Sequence, residues 1–336
     1  MTNPLLTDWT GPFALPPFAA ISDEDFEPAL EQGMAEGRAA IDAIAENPDE
    51  PDFDNTINAL ELADLTLDRV AGVFYNLAGA DSNPAREALQ REMAPRLSAY
   101  SSAITMNEAL FARIETLWEA RDTLDLTDEQ ARVLMLTRRG FVRAGAALKG
   151  AEAERLRDIK SRLATLGTAF TQNLLADERD WFMDVIDGQL DVLPAFVQQA
   201  AIAAGRERGR GAVVTLNRSL ITPFLAYHPD RELRRRAYEA WAARGANGGE
   251  TDNRAIAAEI LSLREERARL LGHDSFAEYK LETEMAGTPA AVRDLLMEVW
   301  TPAKKAALAD QEALAEMARA DGIVGPLEPW DWRYYS

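Results

Sequence analysis

AEAERLRDIKSRLATLGTAFTQNL, residues 151–174, sets Leu156, Ile159, Leu163, Leu166, Phe170 and Leu174 at steps of three, four and seven. With 3.6 residues to a turn, those steps align on one side of a helix, so the segment predicts a single amphipathic helix of roughly seven turns. An ordinary globular helix has about three. Helices of this length bury their stripes by lying side by side, which makes the fold class mainly α, multi-helical, with long packed helices.

The same periodicity runs outward in both directions. Upstream, Ile57, Leu60, Leu67, Val70, Phe74 and Leu77 form a second stripe, predicting a helix that opens near Asp54-Asn55-Thr56. Ser22 precedes three acids, Asp23, Glu24 and Asp25, a helix start in which the carboxylates meet the positive end of the dipole. That helix is expected to end near Asn47-Pro48. Thr127 with Gln130 has the spacing of a capping box opening a helix that runs to about Leu148. Thr288-Pro289 is a cap followed by Pro at the first helical position, and Pro302 is expected to kink or divide the helix that runs towards Gly322.

Two short runs break the pattern. Trp181 to Val185 and Ala212 to Leu216 have strand composition and flank a short helix near Pro194 to Ala204. They predict a small β hairpin or sheet near residues 181–217. The chain then divides into an extended Pro-rich leader over 1–20, a helical segment over 21–180, a β-containing insert over 181–217 and a helical segment over 218–336, with no sharp domain boundary.

The chemistry-bearing residues are sparse. Without a cysteine there are no disulfides and no thiolate ligands. The two histidines, His228 and His273, stand alone, and neither has the second His four residues away that a helical zinc pair requires. They read as helix-end or loop residues. His273-Asp274-Ser275 contains the residue types of a nucleophilic triad, but adjacent residues point apart. Glu265-Glu266 selects nothing among 56 acids, and no nucleotide-binding glycine motif occurs. Arg234-Arg235-Arg236 reads as a source of salt bridges, and the Gly205 to Gly211 run as a flexible connection into the second strand.

A net charge of −20 opposes nucleic-acid binding, since phosphate contacts draw on clustered Lys and Arg. Most of it lies in residues 1–56, which balance to −12. No apolar run approaches the roughly 18 residues of a membrane span, and Met1 to Pro4 does not open a signal peptide. Cytoplasmic location is the expectation, with neither nucleic acid nor membrane as a partner.

Several ordered segments resemble the zinc oligopeptidase family of thimet oligopeptidase and oligopeptidase A, most nearly its peptidyl-dipeptidase Dcp branch. They include Phe53-Asp54-Asn55-Thr56-Ile57, Phe141-Val142-Arg143-Ala144-Gly145-Ala146, Leu261 to Ala268, Val299-Trp300-Thr301-Pro302-Ala303 and Pro329 to Tyr335. The resemblance implies a zinc metallopeptidase acting on short peptides in a deep channel, with this chain as the N-terminal wall of a zincin-type, two-lobed molecule. The family's His-Glu-x-x-His motif is absent from the 336 residues. No catalytic, cofactor-binding or metal residue is therefore assigned here. The catalytic zinc domain is expected in a missing C-terminal half, and the chain alone is expected to bind no zinc and to be inactive. Four aromatics among Trp330, Trp332, Tyr334 and Tyr335 at the end of the chain fit that expectation of a truncated fragment. The alternative is a stand-alone helical binding or regulatory protein.

Overall fold

The computed structural model describes residues 2–81 and 83–336, and the chain forms two compact units, residues 1–155 and 156–336. Among the described residues, the regular structure is helical apart from one two-stranded sheet. The long stripe read first is a helix, Gly150–Asp180.

Unit 1 opens with three single 3₁₀ turns, Pro4–Leu6, Pro12–Ala14 and Phe18–Ala20, joined by extended residues. The leader is thus not extended throughout. Leu5 is fully buried, the Arg69 guanidinium donates to its carbonyl at 3.0 Å, and Trp9 Nε1 donates to the Pro4 carbonyl at 3.1 Å. Ser22 caps a turn through Asp25, whose carboxylate accepts the Ser22 N–H at 2.7 Å, and the turn runs straight into α1, Phe26–Ala45.

The second stripe does not form one helix. It comprises a π turn, Phe53–Asn58, then α2, Ala59–Ala63, and α3, Leu65–Ala80, with non-helical backbone at Asp64. Asp64 is held there by the Tyr100 hydroxyl, which donates to its carboxylate. The apolar periodicity survives because the interruption is a single residue. Gly33 lets α1 and α3 touch: a Cβ there would lie 2.8 Å from the Leu67 Cα. α4 spans Pro84–Thr105, α5 Glu108–Ala120 and α6 Asp128–Ala144.

The Thr127 capping box forms as expected, with Gln130 N–H donating to Thr127 Oγ1 at 3.2 Å and Thr127 N–H to Gln130 Oε1 at 3.0 Å. α6 stops earlier than Leu148 because Gly145 takes a left-handed conformation, φ 104°, and turns its N–H back to Phe141 and Val142. Phe26, Leu30, Val70, Phe74 and Met93 fill one core cluster, and Ile57, Ile114, Leu117 and Leu134 a second.

α7 is Gly150–Asp180, and the unit boundary falls inside it. In unit 2, β1, Phe182–Val185, pairs antiparallel with β2, Ala212–Thr215, in the register Phe182 to Thr215 and Val185 to Ala212. Between them lie α8, Asp187–Leu190, and α9, Ala195–Glu207. The connection from α9 to β2, read from the sequence as flexible, forms a hydrogen-bonded turn. Arg208 and Arg210 N–H both donate to the Gly205 carbonyl at 2.9 Å, and the Arg210 side chain pairs with Asp184 at 2.9 Å.

Then come α10, Arg218–Tyr227; α11, Arg231–Ala242; α12, Arg254–Leu270; α13, Phe276–Leu281; and α14, Pro289–Ala320. Pro302 does not divide α14, which is assigned as one helix. α15, Pro329–Tyr335, closes the order. Met183, Val197, Val214, Phe224, Leu233 and Ala237 form the largest core of this unit. Among the described residues no helix is long and apolar enough to cross a membrane.

Candidate functional site

The polar features of unit 2 concentrate where α10, α11 and α15 meet. Leu233 and Ala237 turn one face of α11 into the core, and Arg234, one residue along, is carried in with them, only 1% exposed. A buried guanidinium needs a partner for its charge and for its donors. Arg234 has a counter-charge and an acceptor at each of its three nitrogens: Nη1 donates to the His228 and Pro229 carbonyls at 2.9 Å, Nε to the Trp330 carbonyl at 3.2 Å, and Nη2 to Asp331 at 3.0 Å.

Asp331 is fully buried. It also takes a bidentate pair from Arg231, with Nη2 at 2.8 Å and Nε at 3.0 Å, and the Glu328 N–H at 3.1 Å. Burial pushes its carboxyl up, but donation from Arg231, Glu328 and Arg234 outweighs it and holds the group below the ordinary carboxylate range. The rings of α15 complete the clamp. The Arg234 guanidinium lies 4.1 Å from the Tyr334 ring centre, and Trp330 meets Tyr238 edge-on.

The arginine triplet therefore splits. Arg235 takes the surface pairs with Glu232 and Glu239 that its spacing suggested, whereas Arg234 reaches a residue 97 positions away. Sequence reading missed Asp331. Its signal was an acid between two tryptophans, since a carboxylate in an aromatic, core-bound segment calls for a cation.

His228 caps the C-terminal end of α10 and is 1% exposed. Its Nδ1 faces the Asp230 N–H at 3.1 Å and its Nε2 the Gln189 carbonyl at 3.1 Å. A backbone N–H can only donate and a carbonyl only accept, which assigns the neutral ring with its proton on Nε2. Burial lowers its pKa from 6.5, against opposing contributions from Gln189 and Asp230. A lowered folded pKa means that the unfolded chain takes up a proton below pH 6.5 that the folded ring refuses, so stability falls as pH drops from 6.5 through the folded value. The loss should be about 1.4 kcal/mol per unit of depression. Denaturant midpoints at pH 7 and pH 5 should show a larger drop for the native chain than for His228→Asn; equal drops would refute the assignment.

His273 faces Glu282 at 3.9 Å and Tyr279 edge-on. Ser275 caps α13, accepting the Glu278 N–H at 3.2 Å, so the adjacent His, Asp and Ser do not assemble a triad. Glu265 is paired with Arg269 at 3.0 Å.

The sequence profile of peptidase family M3 matches residues 224–336, the stretch that carries this buried network. The whole chain is similar to dipeptidyl carboxypeptidase of Salmonella typhimurium, 33% identical over 100% of this chain and 50% of that protein. Dipeptidyl carboxypeptidase of Escherichia coli is 32% identical over 99% and 50%, and oligopeptidase A of Salmonella typhimurium 31% over 100% and 50%. The chain belongs to peptidase family M3. It spans about half the length of the curated relatives it matches.

The histidines of this M3 chain do not fit a catalytic zinc centre. Both ring nitrogens of His228 are spent on backbone groups, and among the described residues no three His, Asp or Glu side chains converge as ligands. A notch of about 390 Å³ lies between the end of α7 and α11 and is lined by Asp177, Asp180, Trp181, Leu216 and Arg244 among others. Asp177 accepts the Gly245 N–H at 2.7 Å, Asn247 Nδ2 at 2.9 Å and the Thr251 hydroxyl, holding the loop after α11; Asp180 is paired with Arg179 at 2.6 Å. The notch thus offers aromatic and aliphatic surface rather than an uncommitted acid or base.

Proposed function

We propose that this chain is the helical, non-catalytic wall of a zinc-dependent M3 peptidase that hydrolyses short peptides in the cytoplasm, with dipeptide release as the specific activity. The observation that carries the reading is the end-to-end similarity to dipeptidyl carboxypeptidases and oligopeptidase A over half their length. Zinc belongs to the remaining half, where it supplies an activated water for attack on the peptide bond. The side chains described above shape and hold the wall; they take no part in bond cleavage. The partners are short peptides and the remaining half, and a charge of −20 suits neither nucleic acid nor an anionic membrane surface.

The family-length protein, purified without chelator, should contain stoichiometric zinc and release a C-terminal dipeptide from a blocked short peptide. The 336-residue chain should do neither. Absence of zinc from the family-length protein would sink the reading, and peptide cleavage by the isolated chain would place the catalytic residues within it.

A further inference from the structure

We infer that the first five turns of α14 are a docking face for the remaining half of the family-length protein. Val292, Leu295, Leu296, Val299, Trp300, Ala303, Ala306 and Ala307 fall within an arc of roughly 140° on the helix, and Leu314 and Ala318 continue the same arc. At the C-terminal end the arc is used: Leu314 and Ala318 are buried in a cluster with Leu327 and Tyr335. Further up it is bare. Between Pro289 and Ala313 no side chain is buried, and Leu295, Leu296, Val299 and Trp300 are 57–63% exposed.

Scattered exposed apolar residues are ordinary, but a continuous stripe about 24 Å long on one helix is not. Arg293, Asp294, Glu298, Thr301, Lys304 and Lys305 occupy the other side, which is mainly polar although Met297 and Leu308 also lie on it. α14 packs mainly on short helices at its two ends, α13 and α15, which leaves its middle without a neighbour of its own length. The occupant follows from size and position. Relatives carry about as much chain again as they share with this one, the stripe lies inside the region matched by the M3 profile, and a segment of the same polypeptide meets it at high effective concentration. This rests on the M3 reading of chain length above, though not on its zinc chemistry.

The chain contains no cysteine, so Leu296→Cys, Trp300→Cys and, as a control on exposed α1 surface, Ala43→Cys each introduce one reporter. Thiol labelling would be read peptide by peptide by mass spectrometry, in the 336-residue chain and in the family-length protein. All three sites should label quickly in the short chain. In the family-length protein, positions 296 and 300 should slow on the order of tenfold or more while position 43 is unchanged. Equal rates in the two proteins would overturn the assignment. So would a reading frame that stops at codon 336, or protection in the short chain that grows with its concentration, which would identify a second copy as the occupant. A protected helix in a protein without zinc would leave the docking face standing and refute the catalytic reading; an unprotected helix in an active zinc enzyme would do the reverse.

Discussion

Asp331→Ala is expected to destabilise unit 2 by about 3–5 kcal/mol, the cost of leaving a buried charge without its partner. The penalty falls mainly on Arg234. Arg231 retains 36% of its side-chain exposure and can turn to solvent, whereas Arg234 is 1% exposed and enclosed by the His228, Pro229 and Trp330 carbonyls. Those carbonyls keep accepting from Arg234 but cannot neutralise it. The Glu328 N–H also loses its acceptor, which loosens the entry to α15. Guanidinium unfolding followed by tryptophan fluorescence measures the change, and a loss below 1 kcal/mol would mean that the network contributes little. If an unpaired cation is the cause, Asp331→Ala combined with Arg234→Met should recover part of the loss. The acid dependence has a fixed sign. A folded pKa held below 3.8 gives a stabilisation present above that value and lost as pH falls through the folded one.

Gly205→Ala should cost about 2–3 kcal/mol, against the usual direction for a helix interior. Alanine normally gains up to about 1 kcal/mol over glycine there. At Gly205 the Cβ would overlap the Gly211 carbonyl, because the chain returns tightly over α9 before entering β2. The obstacle is backbone, fixed by the pairing of Ala212 with Val185, and cannot swing aside as a long side chain would. Gly167 is the control: it lies in α7 with open space where its Cβ would be, and Gly167→Ala should stabilise by about 0.5–1 kcal/mol. Thermal unfolding of the two variants should shift in opposite directions, and a neutral Gly205→Ala would show that the return loop yields.

Much of the helical framework was legible because its signals are local. The Thr127 capping box, the Thr288-Pro289 start and the period of α7 each depend on residues within a few turns, and so does the strand composition of the two β segments. The features that were not legible depend on distant neighbours. Asp64 interrupts an apolar stripe whose spacing is unbroken, and its hydroxyl donor is 36 residues away. Arg234 and Arg235 look alike in sequence, yet one lies in a core and the other on a surface. For the functional site the sequence carries a family resemblance but no catalytic constellation, and the structure adds a buried scaffold that positional spacing could not reveal.

The same buried carboxylate also constrains how this protein can drift. The exposed pair Arg162 and Glu259 can lose either member at little cost and regain it later, so those two positions can change independently. Asp331 and Arg234 cannot. Replacing Asp331 alone leaves Arg234 a buried ion without a counter-charge, and replacing Arg234 alone leaves the buried carboxylate with Arg231 as its one cation, so viable lineages should change the two positions together or keep both. The short aromatic helix and the arginine helix, about a hundred residues apart in the chain, are then tied into one unit of inheritance.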